Sequence, residues 1–306
     1  MDIAKLLCTK FLREERFKAD EGCGIITSAD SKFFPCFQVW YYSIYLQNEV
    51  PITVFDLGMT NKQLSWAESQ LGLDVIPLSD FKSDLLFATN RDHWENWDKP
   101  LFFMKSPYPK TLWLDSDIVA CQPLGELFAM MEEGITLFEC QNGWGGVNDL
   151  HHKLHTNYTP HQSGPPYMNN GVLGIYLERE KDLLEKWEFG VARCAENIDV
   201  ERSCPCWDQG ALQWAVECLG ILEVVKRDFQ WNWCQDINPS YRANASDYIG
   251  SIDLTRAKLL HYSGGNKWVE HNKPFWTDWE EVPIDLDADV LERCVTKYLE
   301  WLEFTA

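Results

Sequence analysis

The chain has 306 residues, enough to bury a sizeable core as one large α/β domain or two small ones. A formal charge of −20 lacks the basic footprint that nucleic acid or an anionic membrane surface requires. No run approaches a transmembrane helix, so no transmembrane segment is expected.

At the N-terminus, Ile3, Leu6, Leu7 and Phe11 have the spacing of an amphipathic helix. Charges interrupt the stretch from Met1 to Lys18, so it lacks the continuous apolar core of a signal peptide. The 11 scattered cysteines then read as reduced, mostly buried thiols of a cytosolic protein. Cys23 to Asp30 predicts a short apolar strand that ends in small residues, and Phe33 to Leu46 a helix with an aromatic face. Ile52–Leu57 and Asp74–Leu78 predict two more strands, separated by a helix from Asn61 to Leu71. Strands alternating with helices imply parallel βαβ units. No Gly-x-Gly-x-x-Gly follows the first strand, which counts against a dinucleotide-binding dehydrogenase.

Helical residues from Lys99 to Met104 lead to Thr111–Leu114, an apolar strand that ends on Asp115-Ser116-Asp117. Alternation along an extended chain would put both carboxylates on one face at the strand's carboxyl end, where open α/β sheets bind ligands. Two hard oxygen ligands suit Mg²⁺ or Mn²⁺, which can bridge to substrate phosphates. The same tripeptide is also an ordinary way for a strand to enter a turn.

Leu124–Met131 predicts a helix and Ile135–Cys140 a strand. Residues 141–168 are rich in Gly, Asn and Pro and carry His151, His152, His155 and His161, which reads as a lid over an acceptor pocket. The spacing of His151 and His155 leaves a zinc site open. Asn169-Asn170-Gly171 is a polar corner feeding a buried strand, and Arg179–Cys194 predicts a helix. Asp208-Gln209 then opens another helix, where Asp208 could serve as a cap, and Glu223–Phe229 predicts a strand. The 15 tryptophans include Trp94, Trp97, Trp231, Trp233, Trp276 and Trp279 in polar contexts, which suit either sugar rings or a core.

A last strand ends in His261-Tyr-Ser-Gly264-Gly265-Asn-Lys267. Imidazole can ligate a metal, glycine lets backbone approach phosphate, and lysine supplies a phosphate-directed charge. Asp285, Asp287 and Asp289 lack the Gly and Glu of a calcium loop, and Val290–Phe304 predicts a closing amphipathic helix.

Four elements stand in a recognisable order: Thr27-Ser28-Ala29-Asp30, Asp115-Ser116-Asp117, Asn169-Asn-Gly-Val with Asp208-Gln209, and His261-x-x-Gly264-x-x-Lys267. From about Gly24 to Trp268 the chain resembles the GT-A glycosyltransferases. Within them it resembles glycosyltransferase family 8, the group of glycogenin and the bacterial lipopolysaccharide galactosyltransferases. The resemblance implies a single GT-A domain with a mixed, mainly parallel sheet flanked by helices. Its nucleotide-binding half would be residues 20–140, its donor-sugar and acceptor half 141–268, and its C-terminal extension 269–306. It implies a metal-dependent, retaining transfer of a hexose from a nucleoside-diphosphate sugar, UDP-glucose or UDP-galactose, to a glycan, lipid-linked or protein acceptor.

By the same resemblance, Thr27, Ser28, Ala29 and Asp30 would meet the nucleotide. Asp115, Asp117 and His261 would hold Mn²⁺ or Mg²⁺, with Ser116 between the carboxylates. Gly264 and Lys267 would contact the diphosphate, Lys99, Asn169, Asp208 and Gln209 would face the donor sugar, and Asn170 would stand beside them in the cofactor-binding set. The chain departs from the family pattern at Asn170, where a small residue is usual, and at Gly210, where an Asp usually follows.

Three rival readings differ in what they require. A sugar nucleotidyltransferase would need a Gly-rich basic signature after the first strand, which Thr27-Ser-Ala-Asp30-Ser-Lys does not supply. A non-catalytic carbohydrate-binding protein would need the tryptophans but not Asp115, Asp117, His261 and Lys267. A zinc hydrolase would be built on the histidine cluster. Acceptor, linkage and oligomeric state are not encoded in any motif.

Overall fold

The computed structural model describes residues 16–31, 33–85, 98–120, 122–134, 137–138, 170–196, 207–221, 225–226, 231, 233–234 and 258–261. In chain order the first elements are β1 (Phe17–Lys18), β2 (Cys23–Ala29), α1 (Phe34–Tyr45), β3 (Asn48–Glu49), β4 (Ile52–Asp56), α2 (Asn61–Glu68) and β5 (Leu73–Ile76). Then come α3 (Lys99–Met104), β6 (Lys110–Leu114), β7 (Ile118–Ala120), α4 (Gly125–Glu132), β8 (Leu137–Phe138) and β9 (Val172–Tyr176). The last are α5 (Lys181–Glu196), α6 (Trp207–Leu219), β10 (Val225–Lys226), β11 (Trp233–Cys234) and β12 (Leu259–His261).

Seven strands form one sheet in the order β10-β8-β9-β6-β2-β4-β5. Every neighbouring pair is parallel except the two that β9 makes, with β6 and with β8. The central strands are apolar on both faces because helices cover both. Ile25, Ile52, Val54, Leu112, Leu114 and Val172 point into a core shared with α1 and α4. Ile26, Phe55, Trp113, Leu173 and Ile175 point the other way, into a core shared with α3, α5 and α6. The result is a three-layer α/β architecture, with the carboxyl ends of β2, β4 and β6 along one edge.

Local chemistry sets the ends of the elements. Helix α2 starts on a capping box, with Thr60 N–H donating to Gln63 Oε1 at 2.8 Å and Gln63 N–H to Thr60 Oγ1 at 3.4 Å. It stops at Glu68, short of the predicted Leu71, because Ser69 and Gln70 bend the chain toward Gly72 at φ +70°. Strand β5 stops before Pro77, which has no N–H for a ladder. At the start of the sheet, Gly24 lies directly under the Tyr108 ring, so close that a Cβ would stand 2.3 Å from its carbons.

A second, three-stranded sheet in the order β11-β12-β7 flanks the first. Strand β12 runs antiparallel to β7 with His261 opposite Ile118. Trp231 is buried, with Lys258 over its ring at 4.6 Å, so it fills core rather than offering a platform for a sugar. The other tryptophans singled out for sugar are Trp94, Trp97, Trp276 and Trp279, which lie outside the described residues, and Trp233, whose side chain does. The predicted terminal helices and the 141–168 segment, with all four of its histidines, also lie outside them. Among the described residues Cys23 is a buried free thiol, Cys36 half-buried and Cys218 exposed. No helix among those residues is long and apolar enough to cross a membrane.

Candidate active site

The Asp115 backbone N–H extends the β6–β9 pairing by donating to Gly171 O at 2.9 Å. The chain then turns: Ile118 N–H donates to Asp115 O at 3.0 Å, closing a four-residue turn that delivers β7. The strand ends at Leu114 as expected, but the extended alternation expected across Asp115–Asp117 is corrected. A turn brings the two carboxylates together and leads directly into β7, which pairs antiparallel with β12.

That pairing supplies the third member. With His261 opposite Ile118, its Nε2 lies 3.3 Å from Asp117 Oδ1 and 3.5 Å from Asp115 Oδ2. The three side chains offer ligand atoms that all lie within 4.8 Å of one another. Ligands bonded at right angles around a Mg²⁺-sized ion at ~2.1 Å stand about 3 Å apart. Two carboxylates and a buried imidazole at these separations fit a divalent cation.

Asp115 is steered by groups that sequence reading did not connect to it. Its Oδ1 accepts from Trp113 Nε1 at 2.6 Å and lies 2.9 Å from Lys99 Nζ, while Oδ2 faces His261. The signal for Trp113 was available: positions i and i+2 of a strand share a face. Burial pushes the Asp115 carboxyl upward, but Lys99, His261 and the two hydrogen bonds outweigh it and hold the group below its ordinary range.

Lys99 stands in the first turn of α3 and is buried. Its ammonium donates to Asn170 Oδ1 at 2.9 Å and Asn170 O at 3.3 Å, and lies 3.6 Å from Asp208 Oδ2. It also stands 5.3 Å from the centre of the Trp113 ring. Burial lowers the Lys99 pKa, and the carboxylates of Asp115 and Asp208 more than reverse that. Asp208 lies in the first turn of α6, held to α5 by Trp187 Nε1 donating to its carbonyl at 2.9 Å. Burial pushes its carboxyl up from 3.8 to about 6, against the opposing pull of Lys99 and the Asn170 amide. Asn170 Nδ2 donates to Asp208 Oδ2, and Asn170 N–H to Gln209 Oε1 at 3.3 Å.

Asp115, Asp117, His261, Lys99, Asn170, Asp208 and Gln209 thus converge at the carboxyl end of β6, with Ser116 half-buried in the turn. Thr27, Ser28 and Ala29 end the neighbouring parallel strand β2, at the same edge of the sheet, and all three are buried. Thr27 Oγ1 has no hydrogen-bond partner among the described residues. Asp30 Oδ1 accepts from Phe33 N–H at 2.7 Å, at the entry to α1. Asn169, Gly264 and Lys267 lie outside the described residues.

No protein-family model matches the sequence. No curated protein matches it significantly. Solved structures do match. The galactosyltransferase LgtC, crystallised with donor and acceptor sugar analogues, superimposes at a TM-score of 0.57 with 16% identity, over 88% of this chain and 99% of that one. The glycosyltransferase GlyE of Streptococcus pneumoniae TIGR4 gives 0.54 and 16%, over 93% of this chain and 64% of GlyE, so this chain spans less than two thirds of that protein. Mouse xyloside xylosyltransferase 1 gives 0.51 and 14%, over 78% and 96%. With a mainly parallel sheet in which antiparallel β9 brings Asn170 beside the Asp115 turn, these likenesses show that the chain has the GT-A glycosyltransferase fold.

Proposed function

We propose that the protein is a metal-dependent hexosyltransferase that takes its sugar from a nucleoside diphosphate, UDP-glucose or UDP-galactose. It passes that sugar, with retention of configuration, to a glycan, lipid-linked or protein acceptor. The observation that carries this reading is the convergence of Asp115, Asp117 and His261, from two separate sheets, on one cation-sized volume.

Mn²⁺ or Mg²⁺ bound there would supply the positive charge that a departing diphosphate needs. The chain's own residues do the rest. Lys99 and Trp113 hold one oxygen of Asp115 and leave the other facing His261, so the ligand set is oriented before any ion arrives. Asp208 and Gln209, at the start of α6, would face the sugar and stabilise positive charge developing on its ring. Thr27, Ser28, Ala29 and Asp30 would line the nucleotide, and Gly264 and Lys267 the diphosphate. The dense negative charge of the chain makes such local cations necessary for any diphosphate ligand.

The test is calorimetric titration with UDP, with and without Mn²⁺, on the wild type and on Asp117→Asn. Asp115→Ala would also strip Lys99 of its nearest counter-charge, so Asp117→Asn is the cleaner variant. UDP binding that needs the ion, and that weakens at least tenfold in Asp117→Asn, is the expected result. UDP binding that ignores both, or no binding of UDP with Mn²⁺ present, would sink the proposal.

A further inference from the structure

The family resemblance places a small residue where this chain has Asn170, and the structure shows what the larger side chain does. Asn170 is 2% exposed and all four of its polar groups are engaged. Oδ1 and the carbonyl accept from Lys99 Nζ, Nδ2 donates to Asp208 Oδ2, and the backbone N–H donates to Gln209 Oε1. Its neighbour Gly171 accepts from Asp115 N–H. One dipeptide therefore ties together the turn after β6, α3 and α6, which carry Asp115, Lys99 and Asp208.

We propose that Asn170 is a positioning residue, a neutral bridge that sets Lys99 and the Asp208 carboxylate at fixed separation and fixes which way the Gln209 amide faces. The proposal deepens the transferase reading and rests on it. A side-chain amide can accept from an ammonium and donate to a carboxylate at the same time. Aspartate can only accept, and alanine can do neither. The distances follow that division: Lys99 Nζ stands 2.9 Å from Asp115 and from the Asn170 oxygen, but 3.6 Å from Asp208. Asp208 takes the Asn170 amide instead of a close ammonium contact. An N–H can meet only an acceptor, so Gln209 turns its oxygen toward Asn170 and its nitrogen away.

The experiment compares wild type, Asn170→Ala and Asn170→Asp in hydrolysis of UDP-glucose and UDP-galactose with Mn²⁺, water replacing the acceptor. Both variants are expected to lose kcat at least tenfold, while donor KM and calorimetric UDP–Mn²⁺ affinity stay within threefold. Unchanged kcat, or a raised KM with kcat intact, overturns the proposal, the second result making Asn170 a donor contact. If Asn170→Ala does not fold, Asn170→Leu, close in size and unable to donate or accept, carries the same comparison. A wild type that hydrolyses neither donor fails the transferase reading, and the bridge is then decided by nitrogen-15 spectra of lysine ammonium groups. The Lys99 resonance, identified by its loss in Lys99→Arg, should be sharp in wild type and exchange-broadened in Asn170→Ala. Equal sharpness in both proteins overturns the bridge.

Discussion

Asp208 and Lys99 show how burial and charge compete within a few ångströms. Both are buried, yet Lys99 keeps its charge because two carboxylates face it, while Asp208 shares Lys99, its one cation among the described residues, with Asp115. The Asp208 carboxyl is raised from 3.8 to about 6, so its protonated form favours the folded state. That contribution is present in full below about pH 4 and is lost as pH rises through 6, an effect of about 3 kcal/mol. Asp208→Asn should therefore gain stability relative to wild type between pH 4 and 7, read from urea unfolding at each pH, while losing donor turnover. A stability difference that stays constant across that range would contradict the assignment. Lys99→Met should do the opposite at neutral pH. It leaves two carboxylates facing each other without their cation and should cost about 3–5 kcal/mol. None of these pairings is local in sequence. Asn170 reaches 71 residues back to Lys99 and 38 forward to Asp208, so each residue could be singled out by type and motif but the bridge between them could not.

Elements were legible where one periodicity ruled. The alternating or continuous apolar runs of β2, β4 and β6 and the helices α1 and α3 stand within a residue or two of their predicted bounds. Misplaced bounds trace to backbone chemistry: Gly72 and the Ser69 turn shorten α2, and Pro77 ends β5. The Asp115–Ile118 turn was hidden because alternation along a strand and a β-turn both bring i and i+2 carboxylates together. The strand β12 that pairs across β7 had to be known before the two could be told apart. Gly24 offers a test at this scale, because β2 and the segment before β6 pack through it. Tyr108 lies on its bare backbone while its hydroxyl bonds Thr53 Oγ1 at 2.8 Å, so the ring cannot retreat without breaking that bond. Gly24→Ala should cost about 1–3 kcal/mol by forcing the ring aside. Denaturant unfolding of the variant checks it, and a midpoint equal to wild type would show that the ring moves freely.

At the scale of the whole molecule, two electrostatic effects have to be separated. A chain carrying −20 repels itself, so any added salt should raise its melting temperature, and divalent ions more than monovalent ones at equal ionic strength. Stabilisation by Mn²⁺ is therefore not by itself a sign of a site. A specific site adds a saturable term, ~2.7 kcal/mol at a hundred times the dissociation constant. Asp117 is the residue that separates the two, since it faces His261 and lies in the cation-sized cluster while one charge among 47 acidic side chains hardly alters the overall field. Melting wild type and Asp117→Asn in Mn²⁺ against ionic-strength-matched NaCl should show a saturable shift of several degrees in wild type only. The shared salt response should remain in both proteins. Equal Mn²⁺ shifts in the two would place the ion on the acidic surface and remove the metal from the proposed chemistry. A shift confined to wild type would put the ion at the junction of the two sheets, where β6, β7 and β12 meet.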